Sequence, residues 1–346
     1  MLNSPHDAAR RSTLTRVLVA GAGALGSVLG GFLQRAGHDV TLLGRAAHLE
    51  AIRARGLRID GLWGDHRVEG LCLATTPADA RGPFDAVLIT VKSYDTDRMA
   101  AAVAPLLAAD GVAISLQNGL GNAEALVEHV GRSRVLAARV IFGAELMATG
   151  HARVTVYADP VLIGTWDGGA DTPGGLPHGA PHTGAMPVSP ARRWAEHLNA
   201  AGVPAAYCED IRAALWGKVL YNAALNPLGA LLGVHYGALA EQTHTRAIMD
   251  AVIEEAFAVA RADGARLAWA SAAEYRAVFY GRLVPSTFDH RSSMLQDLER
   301  GRATEIDAIN GQVWQRGAAH GIVTPVNELL TRLVHAREAV GRGEVR

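Results

Sequence analysis

The fold is decided by the stretch Arg16-Val-Leu-Val-Ala-Gly21-Ala-Gly23-Ala-Leu-Gly26-Ser-Val-Leu-Gly30. Its short apolar run, residues 17–20, predicts a strand that is buried on both faces, and the apolar spacing after Gly26 predicts a helix. Gly21 permits the tight turn, Gly23 lets a pyrophosphate approach the backbone, and Gly26 lets the helix pack closely on the strand. With the helix N-terminus as an anion site, this pattern predicts dinucleotide binding; the alternative is an ordinary strand–helix turn.

The segment Asp39-Val-Thr-Leu-Leu43 predicts a second strand that ends at Gly44-Arg45, and Arg45 lies 19 residues past Gly26. An acidic residue at this place binds the ribose 2′-hydroxyl of NAD, whereas an arginine suits the 2′-phosphate of NADP. Arg45 therefore favours NADPH over NADH. The alternative is a solvated arginine that begins the next helix.

Polar residues come after two further predicted strands. Lys92 comes after the apolar run that begins at Phe84, and Gln117-Asn118-Gly119 comes after the run that begins at Gly111. Ligands of open α/β sheets bind outside the carboxyl ends of the strands, so Lys92 and Asn118 are candidates for contacts with cofactor or substrate. The alternatives are a solvated lysine and a simple Asn-Gly turn.

Composition excludes several classes of protein. The chain has 346 residues, 49% of them hydrophobic, and a formal net charge of −1, which argues against a nucleic-acid tract or a basic membrane-binding surface. No apolar stretch approaches the roughly 20 residues that span a bilayer. Cys72 and Cys208 are far apart without metal-ligand spacing, which is typical of a reducing cytoplasm. We therefore expect a cytoplasmic protein without a membrane or nucleic-acid partner.

The alternation of strands and helices ends near Asp210. We expect a flexible tail over residues 1–15, an α/β domain with a doubly wound, Rossmann-like sheet over 16–209, and an all-α domain over 210–346. A Gly/Pro-rich loop is predicted over 167–190. Its His178 and His182 have no acidic or cysteine partner at ligand spacing, so we expect no metal site there.

One helical segment carries an unusual polar row. Lys218, Asn222 and Asn226 occur at i, i+4 steps on one face, and Pro227 predicts a local break or kink. A solvated face would contain more charged residues, so this row is expected to be buried along a cleft; the alternative is an exposed stripe.

A second polar cluster contains Ser293 and Glu305, 12 residues apart. One straight helix would separate them by about 18 Å, too far to contact one small substrate. We predict that the helix breaks at residues 300–303 near Gly301 and that this break folds Ser293 and Glu305 toward one site. We also predict that Thr304 and Asp307 form an N-cap and N3 pair opening the next helix.

With these features assembled, the chain resembles the ketopantoate reductase (2-dehydropantoate 2-reductase) family from residue 16 to about residue 335. The matching stretches are Gly21-Ala22-Gly23-Ala24-Leu25-Gly26, Thr90-Val-Lys92-Ser-Tyr, Gln117-Asn118-Gly119, Leu215-Trp-Gly-Lys218, Asn222-Ala-Ala-Leu-Asn226-Pro-Leu, Ser293-Met-Leu-Gln-Asp297 and Thr304-Glu305-Ile-Asp307. The glycine pattern is generic, whereas the lysine–asparagine row with the last two stretches is specific.

The resemblance implies catalysis in a cleft between a Rossmann domain and a helical domain. Lys218 would be the general acid, with Glu305 contributing to the ternary complex. NADPH would lie along Gly21, Ala22, Gly23, Ala24, Leu25 and Gly26, with further contacts from Arg45, Lys92, Asn118 and Glu305. The 2-keto acid substrate would be held by Asn118, Asn222, Asn226 and Ser293. A lysine with the ordinary pKa of about 10.4 is protonated at neutral pH, and a nearby Glu305 would favour that charged form.

The implied activity is the reduction of ketopantoate to pantoate for pantothenate and coenzyme A synthesis. One departure from the family concerns the substrate, because His235-Tyr236-Gly237 stands where relatives can carry a further asparagine. A paralogue acting on another 2-keto acid, a non-catalytic NADPH sensor, and a sugar-acid or polyol-phosphate dehydrogenase are the alternatives. Helical domains of this kind often dimerise, so the sequence is also compatible with a homodimer.

Overall fold

A computed structural model describes residues 14–166 and 188–344. The predicted tail up to residue 13, and residues 167–187 of the predicted loop with His178 and His182, lie outside the described residues. The described residues form two compact units: one contains residues 14–117, 122–166 and 188–211, and the other contains 118–121 and 212–344. The sequence did not indicate that Asn118–Gly121, which come after a strand of the first unit, belong with the second.

The first unit is built on one sheet. Its strands are β1 (Arg16–Ala20), β2 (Asp39–Leu43), β3 (Leu57–Gly61), β4 (His66–Val68), β5 (Cys72–Ala74), β6 (Phe84–Ile89), β7 (Leu107–Ser115), β8 (Val135–Ala148), β9 (His151–Thr165) and β10 (Ala205–Tyr207). Its α-helices are α1 (Ala24–Arg35), α2 (Ala46–Arg55), α3 (Thr96–Val103), α4 (Asn122–Val130) and α5 (Pro190–Ala200). Strand β1 is fully buried from Val17 to Ala20, as its apolar run predicts.

The strand order gives the fold class. The sheet runs β4-β3-β9-β8-β7-β6-β1-β2-β5, and β10 pairs with β9. Its segment β5-β2-β1-β6-β7-β8 is parallel throughout and has the 3-2-1-4-5-6 order of a Rossmann sheet. The long antiparallel pair of β8 and β9 extends it. The predicted doubly wound α/β fold is confirmed, and the strand order reverses between β1 and β6, where such sheets bind ligands.

The second unit is helical. Its helices are α6 (Ile211–Leu232), α7 (Tyr236–Glu241), α8 (Thr243–Ala262), α9 (Ala272–Val278), α10 (Val284–Ser286), α11 (Ser293–Glu299), α12 (Asn310–Ala319) and α13 (Pro325–Gly341), with a π-helical segment (Phe279–Leu283) before α10. No strand occurs among the described residues of this unit. Over residues 14–166 and 188–344, no helix combines the length and apolarity needed to cross a membrane.

Pro227 does not end helix α6, which continues to Leu232. A proline inside a helix has no N–H for the carbonyl four residues earlier, here that of Ala223. That carbonyl accepts a hydrogen bond from Asn310 Nδ2 at 3.0 Å, and the same nitrogen donates to Asn327 Oδ1 at 3.0 Å. Both asparagines are fully buried. Helix α12 therefore supplies the donor that the proline removed, and this allows the helix to pass through Pro227.

The predicted break near Gly301 is confirmed. Helix α11 ends at Glu299, and Gly301 has φ +62°, the left-handed conformation that glycine adopts at helix ends. The N–H groups of Gly301 and Arg302 donate to the carbonyls of Leu298 and Asp297 at 3.1 and 2.9 Å. This is the Schellman pattern, which satisfies the last carbonyls of the helix.

The predicted capping pair after the break is wrong. Thr304 Oγ1 accepts a hydrogen bond from the Ile306 N–H, but the Asp307 carboxylate contacts His335 Nε2 at 2.8 Å instead of capping the turn. The chain after Thr304 forms a short 3₁₀ turn, Ile306–Ala308, whose capping residue is Glu305. A carboxylate with a partner in helix α13 is no longer available to close a local capping box.

Candidate active site

The glycine turn after β1 has the geometry that its sequence predicts. Gly21 has φ +120°, and a Cβ there would lie 2.6 Å from the Val91 nitrogen. A Cβ on Gly26 would lie 2.2 Å from the Gly21 carbonyl oxygen, so neither position admits a side chain. Thr90 Oγ1 donates to that same oxygen at 2.7 Å and ties the end of β6 to the turn. Nothing in the local sequence pattern indicates this role of Thr90.

Gly23 differs from its neighbours because a Cβ at this position would meet no atom within 4 Å. Gly23 is the N-cap of helix α1, whose first turn contains no acidic residue. The first N–H groups of a helix have no intrahelical acceptor, and the helix dipole favours an anion there. The open backbone at Gly23 therefore fits a pyrophosphate.

Arg45 lies at the end of β2, the strand beside β1. The N–H groups of Gly21 and Ala22 both donate to the Leu43 carbonyl, at 3.0 and 2.8 Å, so the end of β2 adjoins the glycine turn. Arg45 is exposed and is the N-cap of helix α2. Arg45 stands where an acidic residue would favour a ribose 2′-hydroxyl, and the charge of its exposed guanidinium next to this glycine turn is suited to an anionic group.

Lys92 comes after β6 at the same edge of the sheet and is half-buried. The backbone before it is fixed by Gln117, whose Nε2 donates to the Val91 carbonyl at 2.9 Å and to Thr96 Oγ1 at 2.6 Å. Thr96 in turn donates to Asn122 Oδ1 at 2.9 Å. This buried network holds the loop that carries Lys92 and gives Gln117 a positioning role that the sequence did not predict.

In the second unit, the polar row of helix α6 is buried rather than exposed. Asn222 and Asn226 are 8% and 4% exposed, and Lys218 is half-buried. The alternative of an exposed stripe is therefore wrong. Tyr236 donates its hydroxyl to Asn226 Oδ1 at 2.6 Å, which fixes the orientation of that amide. Burial raises the pKa of Tyr236 well above its ordinary value, so the hydroxyl remains a donor.

Lys218 is paired with a residue 100 positions away in the sequence. Its Nζ donates to Asn118 Oδ1 at 2.6 Å, and Asn118 Nδ2 donates to Glu305 Oε2 at 3.2 Å. One amide thus contacts both the ammonium and the carboxylate, and its two ends match their opposite charges. The structure brings together three predicted site residues, Lys218, Asn118 and Glu305, within the second unit.

The position of Asn118 depends on the next two residues. Gly119 has φ +82°, and a Cβ there would lie 2.2 Å from the Ala308 carbonyl oxygen. The Leu120 N–H donates to that same oxygen at 2.8 Å. Gly119 therefore allows the turn to lie against the backbone just after Glu305, and this places the Asn118 amide between its two partners.

Ser293 is an exposed residue at the start of helix α11. Its neighbour Ser292 is fully buried and caps the helix by accepting from the Leu295 N–H at 3.0 Å. Ser292 Oγ also donates to the Asn226 carbonyl at 3.5 Å. Ser292 and Tyr236 thus support Asn226, and the sequence predicted neither role. Ser292 is 66 residues from Asn226 in the sequence, and Tyr236 lies on the next helix.

A Rossmann sheet with this glycine turn is typical of nicotinamide- and flavin-dependent oxidoreductases. Residues 17–168 match the family model described as ketopantoate reductase PanE/ApbA, and residues 210–338 match the model of its C-terminal part. A 2-dehydropantoate 2-reductase from Aquifex aeolicus (strain VF5) is 38% identical over 325 residues, covering 93% of this chain and 97% of the relative. The chain belongs to the ketopantoate reductase family.

Solved structures agree with this assignment. A PanE/ApbA family ketopantoate reductase from Ralstonia eutropha JMP134 has a TM-score of 0.80 and 35% identity, covering 94% of this chain and 99% of that one. D-mandelate dehydrogenase, solved with NADH and anilino(oxo)acetate, also has a TM-score of 0.80. Its identity is 24%, over 94% of this chain and 99% of that one, so it shares the fold.

Proposed function

We propose that this protein reduces 2-dehydropantoate (ketopantoate) to (R)-pantoate with NADPH. The names of its full-length relatives support this activity. The observation that carries the proposal is the hydrogen bond of 2.6 Å from Lys218 Nζ to Asn118 Oδ1, with Glu305 on the other end of the same amide. A mere nucleotide-binding module would not need an oriented proton donor of this kind.

The first unit would bind the cofactor. Pyrophosphate would lie on the open backbone of Gly23 at the start of helix α1, and Arg45 would bind the 2′-phosphate, which selects NADPH. Lys92 would contact the cofactor from the end of β6. When bound, the dinucleotide supplies the hydride that reduces the carbonyl carbon.

The second unit would supply the proton. As the carbonyl carbon gains hydride, its oxygen gains negative charge and takes a proton from Lys218 Nζ, leaving an alcohol and a neutral amine. Composition supports this role, because Lys92 and Lys218 are the only lysines among the 33 basic residues, the remainder being arginine. Arginine is too weak an acid to give up a proton in a protein.

The substrate would be held by amides and a hydroxyl. Asn222 and Asn226 on the buried face of helix α6 and Asn118 beside Lys218 provide neutral donors for the oxygens of a keto acid, and Ser293 would bind from the start of helix α11. Glu305 would hold Asn118 in place and contact the ternary complex. Because Asn226 Oδ1 already accepts from the Tyr236 hydroxyl, Asn226 would bind the substrate through its Nδ2 donor.

The Tyr236 contact also favours a second candidate, a reductase of another 2-keto acid with the same mechanism. Tyr236 stands in the stretch where relatives can carry a further asparagine, and its ring beside Asn226 would change the contacts offered to the substrate. Purified protein should be assayed by the loss of reduced-nicotinamide absorbance with ketopantoate, 2-ketoisovalerate, pyruvate and 2-ketobutyrate, using NADPH and NADH. A much higher kcat/KM for ketopantoate with NADPH is expected. Preference for another acid would select the second candidate, and no turnover with tight NADPH binding would refute reduction of these acids.

A further inference from the structure

The segment of residues 304–308, here called the Glu305 segment, lies between helices α11 and α12 and contains the 3₁₀ turn Ile306–Ala308. It carries Glu305, which accepts from Asn118, and Ala308, whose carbonyl accepts from Leu120. Both hydrogen bonds join the segment to the turn of residues 118–121, which places the Asn118 amide beside Lys218. A displacement of this segment would therefore move the partner of the proposed proton donor.

The start of the Glu305 segment is held by helix α13. The Thr304 N–H donates to Glu338 Oε1 at 2.7 Å, and Thr304 and Glu338 are 5% and 8% exposed. Water has little access to replace this bond, so its loss would leave a buried N–H without an acceptor. Glu338 lies 33 residues after Glu305 in the sequence, and this hydrogen bond joins its side chain to the backbone of the segment.

The same helix holds the segment at a second point. His335 Nε2 lies 2.8 Å from Asp307 Oδ1, and His335 Nδ1 lies 3.2 Å from Glu338 Oε2. The histidine thus joins Glu338 to the acid two residues after Glu305. One face of helix α13 fixes the segment on both sides of Glu305.

We propose that Glu338 is a positioning residue for the reaction: through the Thr304 N–H it holds the Glu305 segment, and thereby Asn118, in the place that orients Lys218. The expected change in kcat rests on the proposed function. The expected change in the position of Asn118 beside Lys218 rests on the hydrogen bonds alone. Glu338 would then act on proton transfer through the position of Asn118, without itself contacting substrate or cofactor.

Two substitutions separate the hydrogen bond of Glu338 from its charge. Glu338→Ala removes the acceptor of the Thr304 N–H, whereas Glu338→Gln removes the charge and keeps an acceptor oxygen. We expect Glu338→Ala to lower kcat about 10- to 100-fold, as small displacements of a catalytic group do. Glu338→Gln should restore most of kcat.

The control is Glu255→Ala. Glu255 on helix α8 also accepts from helix α13: from the backbone N–H groups of Val326 at 2.9 Å and Asn327 at 3.0 Å, and from Asn327 Nδ2 at 2.7 Å. None of these three bonds involves the Glu305 segment. Its loss should lower the melting temperature as Glu338→Ala does while leaving kcat close to the wild-type value.

A spectroscopic readout makes the test independent of turnover. Protein labelled with ¹³C-lysine gives signals from only two lysines, and Lys92→Arg identifies that of Lys218. We expect the titration midpoint of Lys218 to shift in Glu338→Ala, and to return in Glu338→Gln. An unshifted midpoint together with a kcat equal to that of Glu255→Ala would overturn the proposal. If the wild type reduced no keto acid, the proposed function would fail, and the lysine titration would still decide the role of Glu338.

Discussion

Substitution of Gly119 tests whether the turn after β7 sets the geometry of Lys218. Gly119→Ala places a Cβ 2.2 Å from the Ala308 oxygen and keeps an alanine at φ +82°. The left-handed conformation costs about 1–2 kcal/mol. Because the turn must move away, the buried Leu120 N–H loses its acceptor, and this loss costs about 1–3 kcal/mol more. The free energy of unfolding should therefore fall by about 2–5 kcal/mol.

The matched control is Gly264→Ala. Gly264 lies in the same unit and has φ +81°, but a Cβ there would meet nothing within 4 Å. The free energy of unfolding of Gly264→Ala should fall only by the conformational cost of about 1–2 kcal/mol, and its activity should be unchanged. In Gly119→Ala, displacement of Asn118 should lower kcat about 100-fold. Urea unfolding measures the stability of both variants, and steady-state kinetics measure their kcat. If Gly119→Ala were as stable as Gly264→Ala and had the kcat of the wild type, these results would refute the reasoning.

Three further predictions concern single contacts. Asn310→Ala should lower the free energy of unfolding by about 1–3 kcal/mol because the Ala223 carbonyl loses its donor; a loss below that range in urea unfolding would argue against this role. Burial lowers the pKa of His48, whose Nδ1 accepts from the Gly150 N–H, so the folded state resists protonation. The stability difference between wild type and His48→Gln should shrink as pH falls below about 6.5, and a pH-independent difference would contradict this. Arg45→Ala should raise KM for NADPH and leave KM for NADH nearly unchanged; equal changes would remove its role at the 2′-phosphate.

The parts of the fold that sequence predicts are those with local causes. The glycine turn is set by Gly21 and Gly26, whose neighbours leave no space for a side chain. The end of helix α11 is set by Gly301 in the left-handed conformation. In each case the glycine that is visible in the sequence is itself the residue with the close contact or the left-handed conformation. The pattern can therefore be recognised without knowledge of the rest of the chain.

The parts that sequence does not predict depend on partners far away in the chain. Lys218 meets Asn118 across 100 residues, and Thr304 meets Glu338 across 34. The expected N-cap pair fails for the same reason, because Asp307 is engaged by His335. Nothing in the local pattern distinguishes a side chain that closes its own turn from one that bonds another helix.

The most direct test of the proposed chemistry is the kinetics of Lys218→Ala with NADPH and the preferred keto acid. Loss of a general acid should lower kcat by about 10²- to 10⁴-fold, while NADPH binding, measured by fluorescence or calorimetry, keeps its wild-type Kd because the glycine turn is intact. Added alkylammonium ions should restore part of the rate. Turnover close to that of the wild type in Lys218→Ala would contradict the assignment of Lys218 as the proton donor.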